Sequence, residues 1–87
     1  MDNALQEAID RIQRMEMYFD KLCDGLNAQP PVVYPQLAET LRRYYTGGQW
    51  LNDYELDESG ILPNALKRGV LSQDGIYDLL DRIKELN

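Results

Sequence analysis

Histidine is absent from this 87-residue chain. With it go the usual general base near neutral pH and the commonest metal ligand. A single cysteine, Cys23, can build neither a zinc nor an iron–sulfur site and cannot close an internal disulfide. Gly47-Gly48 lacks the following Lys-Ser/Thr of a phosphate-cradling loop. Metal-free nucleophilic chemistry is thus left almost without candidates, and the expectation is a non-enzyme with no metal and no cofactor. Cationic residues are also scarce: nine Lys and Arg face fifteen Asp and Glu, a net charge of −6. That speaks against direct nucleic-acid binding, because phosphate contacts need a cationic excess. Apolar runs last only a few residues, so no segment suits a bilayer. The opening MDNALQEAIDR carries acids where a secretory leader has a basic stretch. A cytoplasmic location is expected, and the lone cysteine agrees with it.

The composition present is that of a folded domain: 44% hydrophobic and 28% charged residues are too apolar for disorder. The length suits one domain, residues 1–87, with a modest core. Leu5, Ile12, Phe19 and Leu26 recur every seven residues, with Ala8, Met15 and Leu22 three places after the first three. This predicts an amphipathic helix over about 3–24, capped by Asp2 or Asn3 and stopped by Gly25. Glu7 with Arg11 and Asp10 with Arg14 are spaced for surface pairs along it. The same helix allows a monomer or a homodimeric seam. Pro30, Pro31 and Pro35 make 27–35 a linker, and Pro35 suits the first turn of a second helix over about 36–46. Gly47-Gly48 ends that helix. A short helix over about 49–55 follows, turning Trp50, Leu51 and Tyr54 to the core. DESGILP reads as a loop, and a helical turn is expected at about 64–68, closed by Gly69. Ser72 caps a last helix over about 73–86, whose buried stripe is Ile76, Leu79, Leu80, Ile83 and Leu86. The fold class is all-α: a small bundle of three main helices and two short ones.

The second half is the more particular. Tyr44-Tyr45, Trp50, Asp53-Tyr54-Glu55, Asp57-Glu58, Gly60, Leu62-Pro63, Leu66 to Ser72, Asp74 to Tyr77 and Leu79-Leu80 follow a pattern that resembles a family of small bacterial proteins, domain of unknown function number 4298. The resemblance is carried by roughly the second half, while the first half is similar in being helical. It implies no activity.

Three groups of residues are candidates for function. The run Asp53, Glu55, Asp57, Glu58 alternates like the start of a calcium loop, but Glu58 stands where such a loop needs glycine and Asn64 where it needs a bidentate glutamate. Paired carboxylates also permit hydrolysis if one is desolvated in a cleft. Solvation and pairing with Lys67 and Arg68 is the plainer role. Lys67-Arg68-Gly69 in turn suits either an anion or an internal clamp, with Arg68 reaching back to Asp57 or Glu58. The aromatic set Tyr44, Tyr45, Trp50, Tyr54 and Tyr77 suits a small core or a protein-binding groove between the short helix and the last one.

The expected function is a non-catalytic adaptor or regulator of an unidentified protein partner, which it binds through Tyr45, Trp50, Tyr54, Tyr77, Asp53, Glu55, Asp57 and Glu58. The alternative is an acidic mimic of nucleic acid that inhibits a DNA- or RNA-binding protein. A weak divalent-metal or hydrolytic site on the acidic run is third.

Overall fold

The heptad stripe of the first segment forms one face of a long helix, α1 (Asn3–Leu26), in a computed structural model that describes residues 3–86. Three more α-helices follow: α2 (Pro35–Thr46), α3 (Gln49–Glu58) and α4 (Gln73–Leu86). A 3-10 turn, Gly69–Leu71, sits between α3 and α4, and no strand occurs among the described residues. Ala8, Ile12, Met15, Leu22 and Leu26 of α1 are buried against Leu41 and Tyr44 of α2, Trp50 of α3, Val70 and Leu71 of the turn, and Ile76, Leu79 and Ile83 of α4. The turn touches α1, α3 and α4 at once, so its buried Val70 and Leu71 plug the centre of the assembly. The cap assigned to Asp2 lies outside the described residues, and Asn3 is already helical.

Several local expectations need correction. Gly25 does not stop α1, which continues to Leu26. Its missing side chain serves a different end: a Cβ there would lie 2.3 Å from the Val32 carbonyl oxygen, and the Val32 N–H donates to the Gly25 carbonyl at 2.8 Å. The linker can therefore fold flat against the helix it leaves, and Lys21 of α1 stands 5.0 Å from the ring centre of Tyr34. Gly25→Ala is expected to lever the linker away at a cost of about 1–3 kcal/mol, the range for overpacking. Urea denaturation followed by circular dichroism checks it, and a midpoint equal to that of the parent chain contradicts the close approach.

Pro35 occupies the first turn of α2 as expected. Gly48 has φ +96° and opens α3, a conformation that costs glycine little. The third helix is longer than 49–55. It absorbs Asp57 and Glu58, because the Ser59 N–H returns to the Glu55 carbonyl and Gly60, at φ +81°, supplies the left-handed exit. No helix forms at 64–68, where a single turn is closed by the Leu66 N–H donating to the Pro63 carbonyl at 3.1 Å; the helical turn comes one step later at Gly69–Leu71. Arg68 explains the shift, since its guanidinium binds the Leu66 and Pro63 carbonyls and holds this stretch open. Leu51 and Leu86 were expected in the core but are 52% and 53% exposed. Ser72 does cap α4, its Oγ accepting from the Gly75 N–H at 3.2 Å.

Candidate functional site

The centre of the molecule holds a charged network. Asp53 of α3 has no solvent exposure at all. Its carboxylate accepts from Arg11 of α1 through Nε at 2.9 Å and Nη2 at 2.5 Å, and from the Tyr44 hydroxyl at 2.7 Å. A longer bond comes from Asn52 Nδ2 at 3.4 Å. The two-pronged arginine geometry is the strongest a carboxylate can receive. The bond to Asp53 raises the Arg11 pKa above its ordinary value. Burial first, and then the same carboxylate, push the Tyr44 phenol well above its ordinary range. The network ties α1, α2 and α3 together at one atom pair. Asp53 was a candidate for partner binding, yet its oxygens are spent internally. Arg11, expected to pair with Glu7 along the helix surface, turns inward instead.

A second polar tie fixes the 3-10 turn. The buried Glu16 of α1 accepts from the Val70 N–H at 2.7 Å, and Trp50 Nε1 donates to the Val70 carbonyl at 2.9 Å. Both backbone groups of a fully buried residue are thereby satisfied from side chains, as burial demands. Trp50 also stacks on Tyr54, with ring centres 5.1 Å apart, and meets Tyr45 edge-on at 5.0 Å. Nothing in the sequence reading singled out Glu16. The available signal was an acid four residues after Ile12, on the margin of the apolar stripe.

Arg68 bridges the loop to the end of α3: Nη1 pairs with Asp57, and Nη2 donates to the Pro63 carbonyl at 2.6 Å. Lys67 is exposed and makes no ion pair among the described residues. With the Arg68 side chain about one-third exposed, Arg68→Ala is expected to cost about 1–2 kcal/mol, below the figure for a fully buried pair. Thermal melting tests this, and an unchanged melting temperature removes the clamp.

The acids of the 53–58 run do not converge. Asp53 points into the core, Asp57 pairs with Arg68, and Glu55 and Glu58 are exposed. Among the described residues, no group of three or more His, Cys, Asp or Glu side chains is gathered closely enough to hold a metal ion. Cys23 is half-buried, and burial raises its thiol pKa, which lowers its nucleophilic fraction at neutral pH.

The aromatic set divides in the same way. Tyr44 and Trp50 are core, Tyr45 and Tyr54 are half-buried, and Tyr77 is 59% exposed. They do not share a groove between α3 and α4. A groove of about 540 Å³ lies instead between α2 and α4, with Tyr45 and Tyr77 among its walls together with Ala38, Leu80 and Ile83. Glu39, Arg42, Asp81 and Lys84 line it as well. On α2 the charges are already paired: Arg42 and Arg43 both bind Glu39 and hold its carboxyl down to about 2. On α4 they are not. That helix carries Asp74, Asp78, Asp81 and Glu85 against Arg82 and Lys84. At 100° per residue the four acids fall on one face. All four are exposed, and none enters an ion pair among the described residues. The acid face borders the groove wall formed by Tyr77 and Leu80. Among the described residues, no helix is long and apolar enough to cross a membrane.

Compared with known families, residues 1–87 match the model of the family described as Domain of unknown function (DUF4298), so the similarity spans the whole length and not the second half alone. No curated protein and no solved structure matches the chain.

Proposed function

The chain belongs to the DUF4298 family, and we propose that it is a non-catalytic protein-binding adaptor or regulator whose docking face is the groove between α2 and α4. One observation carries this reading: Tyr77, 59% exposed, lines a groove of mixed apolar and charged residues whose other aromatic wall, Tyr45, packs edge-on against Trp50. Exposed rigid aromatic area beside a preformed recess is a common anchor of protein recognition. The residues that sequence reasoning offered for contact separate accordingly. Tyr45 and Tyr77 line the face, Trp50 supports it, Tyr54 braces Trp50, and Asp53 holds the core. Glu55 and Glu58 lie exposed on α3, outside the groove lining.

A photo-crosslinking amino acid in place of Tyr77, expressed in a native host, is expected to yield a discrete adduct with another protein. The same group in place of Asp10, on the outer side of α1, is expected to yield none. Absence of any adduct at position 77 rejects the groove as the docking face. The acid face of α4 supports a second reading, in which the chain mimics nucleic acid and blocks a DNA- or RNA-binding protein. In that case the protein trapped at position 77 binds nucleic acid, and added DNA or RNA competes with the adduct.

A further inference from the structure

Resting on the reading of the groove as a docking face, we propose that its occupant is an amphipathic helix of another protein. An apolar stripe of that helix lies on Tyr45, Tyr77 and Leu80, and lysines or arginines run along the flank that faces α4. Both walls are helices, and a helix ridge is the shape that fills the furrow between two others. A β-strand is not the occupant, because the described residues offer no sheet edge to extend. Charge decides the flank. The α2 wall has its acid bonded to two arginines, whereas Asp74, Asp78, Asp81 and Glu85 of α4 stand exposed and unpaired by any cation among the described residues; Asp81 lines the groove beside Lys84, and the other three acids continue the face outward from it. A cationic flank placed over that face gains pairs without breaking any, and the net charge of −6 steers a cationic partner inward. A second copy of this chain is disfavoured by the same charge. Its long apolar stripe, on α1, is moreover buried in its own core.

The test is selection from a displayed library of helical peptides, randomised in charge and apolar positions, against the full 87-residue chain. Enriched peptides are expected to place apolar residues at i, i+3, i+4 and i+7 with Lys or Arg along one flank, and to bind more weakly as salt rises. Asp78→Lys with Asp81→Lys, and separately Tyr77→Asp, are each expected to weaken a selected peptide at least tenfold while the melting temperature stays unchanged. Apolar-striped peptides that show no basic preference and ignore the two lysines overturn the cationic flank and leave the groove standing. Peptides indifferent to Tyr77→Asp, or no enrichment at all, overturn both. Self-association of the chain that is abolished by Tyr77→Asp makes the occupant a second copy and overturns the proposal.

Discussion

Arg11→Met is expected to destabilise the fold by about 3–5 kcal/mol, because it leaves the fully buried Asp53 carboxylate without its counter-charge. The loss is set by desolvation of the acid left behind more than by the attraction removed. Asp53→Leu added to Arg11→Met is therefore expected to recover part of the stability, leaving the Tyr44 hydroxyl as the unsatisfied remnant. Adding Tyr44→Phe removes that remnant and completes an apolar replacement. Urea unfolding of the single, double and triple variants measures the sequence. A single variant as stable as the parent, or a triple variant no better than the single, contradicts the account.

The same network gives a pH dependence with a defined sign. The folded Tyr44 pKa lies above the unfolded value of about 10. Below that value the phenol is protonated in both states, and its contribution to stability is fully present. Above it the unfolded chain releases the proton while the folded chain retains it, so stability falls as pH rises from about 10. Tyr44→Phe is expected to flatten the decline between about pH 9.5 and 11, and a slope identical to the parent's rules this out.

Trp50→Ala is expected to cost about 3–5 kcal/mol, the range for deleting a core aromatic. The effect has three sources: the cavity, the stacking lost to Tyr45 and Tyr54, and the Val70 carbonyl stripped of its donor. Trp50→Phe keeps part of the ring, so the lost donor to the Val70 carbonyl, at about 1–3 kcal/mol, makes up a larger share of its cost. Circular dichroism is the suitable readout, since the variants lose the only indole. A small loss for alanine together with none for phenylalanine makes Trp50 a peripheral residue. The groove wall at Tyr45 would then lack its brace.

The helices were legible because their causes are local. The seven-residue recurrence from Leu5 to Leu26 defines an apolar face whatever lies opposite it. Pro35 and Gly48 act on their own backbone angles, and Ser72 caps the helix that follows it through an N–H three residues away. Arg68 bonds Asp57, only eleven residues distant in the sequence. Two boundary errors come from backbone contacts that residue type alone does not reveal. Gly25 looks like a helix stop until the Val32 carbonyl is found beside it. DESG reads as loop until a glycine exit and an arginine let the helix run through Glu58.

The candidate site was legible in its residue types and not in its arrangement. Tyr45 and Tyr77 were named, but their shared groove depends on α2 packing beside α4 and not on α3. Asp53 and Glu55 differ by two places in sequence and are opposite in fate. One meets Arg11 from forty-two residues away, and the other meets solvent. The sequence by itself determined an acidic, all-helical chain without histidine chemistry, because composition and short-range periodicity are properties of the covalent order. Only the tertiary structure decided which charges are buried, which aromatics remain exposed and where the open groove lies. A polar side chain goes inward only where a distant element brings the partner that offsets its desolvation.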